Sequence, residues 1–500
     1  MRRLLCLLSL FSFRNVLSST DGASTISSSP SKNLRWSHEA GVNRVLNTAG
    51  GRVVSNVPAT GITKKWSDPT TWNASTLPGL DDDVLITGSE NVVEFDVLSS
   101  PLLNSITIED GAKLVIPDPL VDLPEGSPLQ LNVRHVHVMG ANSAFEAGTE
   151  AVPIHGRVSI RLHGTKATLP LHGRTEAGNK VIFVHGGRLD IHGTPRIPTW
   201  TRLAATANAS STSLVVRGEV DWKAGEQIAI TSSDFDVDGF DEQFEAQELT
   251  IASDPLYDDM KDETFIQFEQ PLNYMHYGER QCFEDVCVDT VAEVVLLSRN
   301  VVVEGNMDVD SQEEGWGGQI KMHSTDSRVS YVELKNMGQK GQLGSYPLHW
   351  HIPGNAAGCF AKGNSIHHSF NRVSLSLFTI EPSCTIHQSL LALIFNDSLI
   401  CPFLLYSSLK KAITLHGAQE MEIVQNVAYE ILGHSIYLED GTETNNLLQE
   451  NIVFTTRQGF VDRTMHGDDV QDDTPASYWI SNPHNRKFLV ALSNLQFHGV

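Results

Sequence analysis

The chain has 500 residues, with 36 Lys and Arg against 60 Asp and Glu for a formal net charge of −24, and it is 40% hydrophobic and 7% aromatic. That length suits two or three domains or one long repetitive domain, and ordinary apolar content with 38 Gly and 21 Pro scattered through it excludes a disordered chain or a coiled coil. The acidic balance argues against nucleic acid as a partner, and no apolar run reaches the roughly 18 to 20 residues of a membrane span. No P-loop, dinucleotide fingerprint, Gly-x-Ser-x-Gly elbow or zinc-type Cys pairing occurs, so nucleotide-dependent, esterase and zinc-finger functions fall away.

Reading from the N-terminus, Arg2 and Arg3 precede the apolar run Leu4 to Phe13, and small residues follow at Ser18, Ser19 and Thr20. Residues 1–19 thus read as a signal peptide and 20–44 as a Ser-rich linker, which places the protein outside the cell, secreted or at the cell surface. Of six cysteines, Cys282 and Cys287 are close enough for a local disulfide, and Asn73 and Asn208 begin N-glycosylation sequons, both in keeping with an exported glycoprotein.

The rest of the pattern is β. Short alternating runs recur at residues 83–86, 105–108, 113–116, 133–138 and 158–162, punctuated by Gly, Pro and Asp, and no long helical period occurs. Between residues 150 and 205, eight Arg and Lys, among them Arg157, Arg161 and Arg188, face three acidic residues, and five histidines each precede a glycine. This is either a basic face for an anionic sugar chain, firmer at low pH as the imidazoles charge, or a set of His-Gly strand ends at repeated turns. Asp234, Asp236, Asp238 and Glu245 spell a calcium loop, D-x-D-x-D-G-x₅-E, but the strand-like run before them argues against an EF-hand. No motif requires a cofactor, and calcium is the one ion the sequence spells a loop for.

The second half carries a repeat. Asn336, Asn364, Asn426 and Asn451 open similar stretches, and a period in the middle twenties is one coil of a β-solenoid, so the asparagines and the His367, Tyr429, Phe454 column read as stacked structure. The spacing from 364 to 426 is too long. Residues 373–411 are rich in Leu, Ser, Ile, Phe and Cys, and removing those 39 restores the period. Val373-Ser374 can be encoded as a splice donor and Lys411 as an acceptor end, so the segment reads as a retained intron, with a genuine surface insertion as the alternative. A second donor spelling at Arg486-Lys487-Phe488 predicts an aberrant tail over 486–500.

With that segment set aside, Tyr346-Pro-Leu-His-Trp-His351 and Gly363-Asn-Ser-Ile-His-His-Ser-Phe-Asn-Arg372 joined to Ala412-Ile-Thr-Leu-His-Gly417 resemble the G8 and parallel β-helix (PbH1) repeat family, which includes cell-surface hyaluronidase, cell-migration-inducing hyaluronan-binding protein and fibrocystin-L. Asn426 to Tyr429, Gly433 to Gly441, the glycine-punctuated stretch from Trp66 to Gly164, Pro198 to Leu203 and Val220 to Gly225 extend the resemblance over roughly residues 45 to 485. It implies an all-β chain: a G8 β-domain over 45–172, a connecting β region over 173–300, and a right-handed parallel β-helix over 301–485. It further implies an extracellular protein whose partner is a hyaluronan-like polysaccharide, as a binder, a hyaluronidase-type glycosidase or a non-catalytic fibrocystin-like adhesion ectodomain; membrane attachment would need an anchor this sequence lacks.

Counting thirteen residues from the repeat asparagines predicts that His349, His416 and Glu439 stack on consecutive coils. An imidazole beside a carboxylate is a general acid/base pair, and two histidines with a carboxylate equally fit a divalent metal. Glu439 and Asp440, adjacent on a strand, are expected to point apart, which leaves Asp462 as the second carboxylate for a glycosidase. Arg372 or Arg463 would hold a uronate carboxylate, with Trp350 as a further substrate-binding residue. Ordinary stacking of turn residues is the competing reading of this column.

Overall fold

The computed structural model describes residues 51–56, 63–73, 75–122, 127–233, 245–283, 286–340, 342–369, 411–457, 459–460, 471–472, 476–482 and 484–491. The signal peptide, the linker and most of the 373–411 segment lie outside them. Among the described residues, 25 strands form one continuous, wholly parallel sheet that winds into a β-helix. Each coil contributes strands to up to three faces. The first face runs from Arg52–Val54 and Asp83–Ile86 through Val181–His185, Gln319–His323, Leu348–Asn355 and Ile413–Gln419 to Ile436–Leu438. The second carries Lys113–Ile116, Ala144–Ala147, Arg188–His192, Ser327–Ser330, Phe360–Lys362 and Glu422–Val424. The third carries Val158–Leu162, Val301–Gly305, Val332–Lys335, Ser365–His367 and Val427–Leu432.

Alternation explains the core. On the first face Val136, Ile182, Ile320, Leu348, Trp350, Leu415 and Leu438 point inward and are buried in a core shared by every coil. Stacked coils place equivalent side chains about 4.8 Å apart, so each inward position is a column of like residues. Asparagines close one corner. Asn364 Nδ2 donates to Asn426 Oδ1 at 3.0 Å, and Asn426 Nδ2 to Asn451 Oδ1 at 2.9 Å. A second ladder links Asn446 Nδ2 to Asn485 Oδ1 at 3.1 Å.

Asn336 is not part of the ladder. Glu333 pairs with Ser365, so Val332 stands opposite Asn364 and donates its N–H to the Asn364 Oδ1 at 3.0 Å. The turn that follows this coil is longer than its counterparts, and an anchor on Asn336 misjudges it.

The same solenoid continues through the residues expected to form a separate connecting region: Val181–His185 and Arg188–His192 are solenoid strands. The departure comes later. Residues 200–297 leave the coil as antiparallel sheets, including Ser213–Arg217 with Glu263–Gln267 and Gln227–Ile230 with Gln247–Thr250. This inserted unit has its own core of Leu203, Val216, Trp222, Ile228, Leu249 and Phe268. It docks on the third face, where Ala229, Val295 and Leu297 pack against Val427, Tyr429, Ile452 and Phe454. Cys282 and Cys287 form a disulfide across its hairpin.

The coils either side of residues 370–410 are direct neighbours: Leu348–Asn355 pairs with Ile413–Gln419 and Ser365–His367 with Val427–Leu432. With 39 residues set aside, Asn364 to Thr414 and Asn426 to Tyr437, the register partner of Thr414, span equal lengths. Lys411 belongs to the solenoid, however, buried with its ammonium 3.1 Å from the Tyr437 ring centroid. Arg486–Ala491, expected to fall outside the fold, pairs with Leu447–Arg457 as a further strand of the second face.

Candidate functional site

The outward side of the first face carries a column of imidazoles. His185 pairs with His323, and His351 with His416, on successive coils. The rings of His185 and His323 are 5.8 Å apart, those of His323 and His351 stack at 4.6 Å, and His351 meets His416 edge-on at 4.7 Å. A parallel column two residues earlier holds His137, Phe183, Lys321 and His349. Period-two alternation puts both columns on the same outward face, which the loop carrying Leu171 and Ala177 partly covers.

His416 is the hub. Its Nε2 lies 2.6 Å from Asp440 Oδ2 and its Nδ1 3.9 Å from Glu439 Oε2. Asp440 therefore does not point away: the strand ends at Leu438, so alternation no longer applies to the two carboxylates. His349 stands opposite Thr414 rather than His416, two residues from the counted register, because of the longer turn after Asn336. It still joins the group, its ring parallel to that of His416 at 6.4 Å, and donor atoms of His349, His416 and Glu439 lie within 4.8 Å of one another. The His349 Nδ1 donates to the Gly344 carbonyl oxygen at 2.9 Å, and its Nε2 has no hydrogen-bond partner.

Burial sets the charge of this face. It holds His349 well below the usual histidine range and pushes His323 and His351 down to about 4, with neighbouring imidazoles adding to the shift. These rings are neutral at pH 7. Lys321, whose ammonium donates to the Glu176 carbonyl oxygen at 2.8 Å, is lowered by burial to about 8, and burial raises the Tyr346 phenol. Beside His323 opens a cleft of about 610 Å³ lined by Lys113, Asn142, Arg188, Asp326 and Ile352.

The other sequence-derived residues are placed differently. Trp350 cannot bind substrate: it points inward and is fully buried. The expected basic face is largely neutralised, since Arg161 pairs with Glu304 at 2.6 Å and Arg188 with Glu146 and with Asp190 at 3.0 Å, while Arg157 is exposed. Two of the five His-Gly pairs end strands, at His185 and His192: Gly186 has φ 77°, and a Cβ on Gly193 would lie 2.2 Å from the Tyr331 carbonyl oxygen, whereas His172-Gly173 lies in a 3-10 turn. Asp234, Asp236, Asp238, Arg372, Asp462 and Arg463 lie outside the described residues; Glu245 is half-buried. Asn73 and Asn208 are both exposed. Sequence reasoning missed His323, His351, Lys321 and the role of Asp440; the signal for the first three was the x-His-x-His and Lys-x-His alternation at 349–351 and 321–323.

A second cluster sits where the inserted unit meets the solenoid. His368 Nε2 is 2.8 Å from Glu248 Oε1 and 3.9 Å from Glu430 Oε2, while its Nδ1 is 2.6 Å from the Nδ1 of His367, whose Nε2 faces Glu333 at 3.2 Å.

Comparison with known proteins agrees with this architecture. The G8 domain matches residues 71–204, and the CEMIP beta-helix matches 315–379 and 396–490, omitting 380–395. Fibrocystin-L of Mus musculus is 28% identical over 84% of this chain, and that of Homo sapiens 26% over 84%; the chain spans 9% of either protein. Protein rliB of Dictyostelium discoideum is 26% identical over 77% of this chain and 28% of its own length. A solved tailspike of an Acinetobacter baumannii bacteriophage, in complex with capsular saccharide, aligns at 11% identity over 66% of this chain and 43% of its own, but with a TM-score of 0.20 it carries no argument. The first coils of the chain are thus similar to the G8 domain and its last coils to the CEMIP beta-helix.

Proposed function

We propose that the protein binds an acidic, hyaluronan-like polysaccharide outside the cell, along the outward first face of the solenoid. The observation that carries this is the imidazole column from His185 to His416, bordered by Lys321 and by the cleft beside Lys113 and Arg188. Coils repeat at about 4.8 Å, close to the length of one pyranose residue, so a glycan lying along the axis meets one ring and one polar edge per coil. Neutral imidazoles offer both a hydrogen-bond donor and an acceptor to sugar hydroxyls, and the Lys321 ammonium, which is bonded to a backbone carbonyl rather than to a carboxylate, is the cation beside them that a uronate would meet. The exposed sequons at Asn73 and Asn208 and the Cys282–Cys287 disulfide support an extracellular setting.

A second reading is turnover of the same polymer. It is favoured by the contact of His416 with two carboxylates, Glu439 and Asp440, which supplies an acid/base pair at the end of the column. Light scattering of hyaluronan incubated with the protein separates the two: constant chain length with retained binding marks a binder, whereas shortening abolished by Glu439→Gln marks an enzyme. Neither binding nor shortening, from folded protein, would favour an adhesion role.

A further inference from the structure

We infer that His349, His416 and Glu439 form a binding site for one divalent first-row transition-metal ion. Three successive coils supply one ligand each, His349 from Leu348–Asn355, His416 from Ile413–Gln419, and Glu439 directly after Ile436–Leu438. The scaffold that aligns them is the parallel ladder itself, and one donor atom of each lies within 4.8 Å of the others.

The hydrogen bonds decide which atoms are available. His349 commits its Nδ1–H to the Gly344 carbonyl, leaving on Nε2 a lone pair that is buried and without a partner; the residue is only 1% exposed. His416 places its Nε2 2.6 Å from Asp440 Oδ2, and its Nδ1 is turned toward Glu439. Each imidazole is thus fixed through its outer nitrogen by an oxygen acceptor, as metal-ligating histidines are. Two imidazole nitrogens and a carboxylate are a donor set that a divalent first-row ion takes up.

Two nitrogens and one oxygen suit zinc or its first-row neighbours rather than calcium or magnesium, which take oxygen ligands. Metal bonds of about 2.0–2.1 Å set tetrahedral donors about 3.3 Å apart, so small side-chain rotations close the site. Glu439 and Asp440 are partly exposed, which gives the ion an entry and leaves a coordination position open to solvent. The His368 cluster lacks this pattern, because both ring nitrogens of His368 are already engaged, by Glu248 and by His367.

The test titrates Zn²⁺ into the full chain, stripped with EDTA and dialysed, in competition with a chromogenic chelator; Co²⁺ in place of Zn²⁺ reports ligand geometry by its visible spectrum. The expected result is one equivalent bound at micromolar affinity or tighter. Glu439→Gln and His349→Gln should each weaken binding at least a hundredfold. The positioning variant Asp440→Asn should weaken it ten- to a hundredfold and shift the Co²⁺ bands, while His368→Asn should leave it unchanged. Circular dichroism and the unfolding midpoint in EDTA confirm the fold of each variant, and part-exposed Glu439 keeps the test decisive if His349→Gln does not fold. Folded wild-type protein that takes up neither ion, or binding that survives Glu439→Gln, would overturn the proposal. No saccharide is present, so that failure would leave the glycan proposal standing.

Discussion

His351 stands directly opposite His416 on the neighbouring coil, their rings 4.7 Å apart and nearly perpendicular, although 64 positions of sequence separate them. The parallel ladder of neighbouring coils makes this contact. It joins the histidine column to the Glu439 and Asp440 carboxylates, and it depends on the two coils being consecutive despite the long segment between them.

That dependence predicts the outcome of deletion. Removing residues 373–410, which keeps buried Lys411, should give a chain that unfolds cooperatively with an unchanged β circular-dichroism spectrum. Removing 373–411 also deletes the Lys411 contacts with Tyr346 and Tyr437, and should lower the midpoint relative to the shorter deletion. Equal midpoints would contradict the placement of Lys411 in the solenoid.

The asparagine ladder is a second point of leverage. Asn426 is 1% exposed; its side chain accepts from Asn364 and donates to Asn451 Oδ1 and the Ala361 carbonyl oxygen. Asn426→Ala leaves several of these groups unsatisfied, each costing about 1–3 kcal/mol. A loss of about 2–4 kcal/mol in urea unfolding is expected, with the slope unchanged. A loss below about 0.5 kcal/mol would show that water replaces the ladder.

Trp350 separates packing from binding. Trp350→Ala removes a fully buried indole from the shared core and should cost about 3–5 kcal/mol. Trp350→Phe should lose less stability and keep the wild-type affinity for hyaluronan oligosaccharides, as read by calorimetry on folded protein. A folded Trp350→Phe variant with wild-type stability but no binding would return this residue to the ligand face.

Buried histidines set a pH dependence. Burial lowers His135 to about 3 and His163 and His434 to about 4. In the unfolded chain these rings titrate near 6.5, so as pH falls the unfolded state takes up protons first. Their contribution to stability is complete above about pH 6.5, declines from there to about pH 4 for His163 and His434 and to about pH 3 for His135, and levels off below. Urea midpoints measured from pH 7.5 to 4.5 should fall, and His434→Gln should make that fall shallower. A slope identical to wild type would mean that His434 does not carry its share.

Much of the fold was legible because a solenoid is written locally. The alternation at residues 83–86, 105–108 and 158–162, the asparagines at 364, 426 and 451, and the approach of His416 to Glu439 all follow from a short period read along the chain. What was not legible depends on distant partners. Arg161 looked free until Glu304, 143 residues away, paired with it, and the inserted unit at 200–297 alternates like any solenoid strand, its antiparallel pairing leaving no local mark. The counted register of His349 failed for a related reason: the turn after Asn336 has its own length, which only strand pairing reveals.

The most direct test of the account is the affinity of size-defined hyaluronan oligosaccharides for the folded chain, measured by calorimetry beside Lys321→Met and His351→Gln. Saturable binding by wild type, weakened at least tenfold in both variants with their unfolding midpoints retained, is the predicted result. Absence of binding by wild type at millimolar oligosaccharide, or equal affinity in all three proteins, would contradict a glycan site on the histidine face.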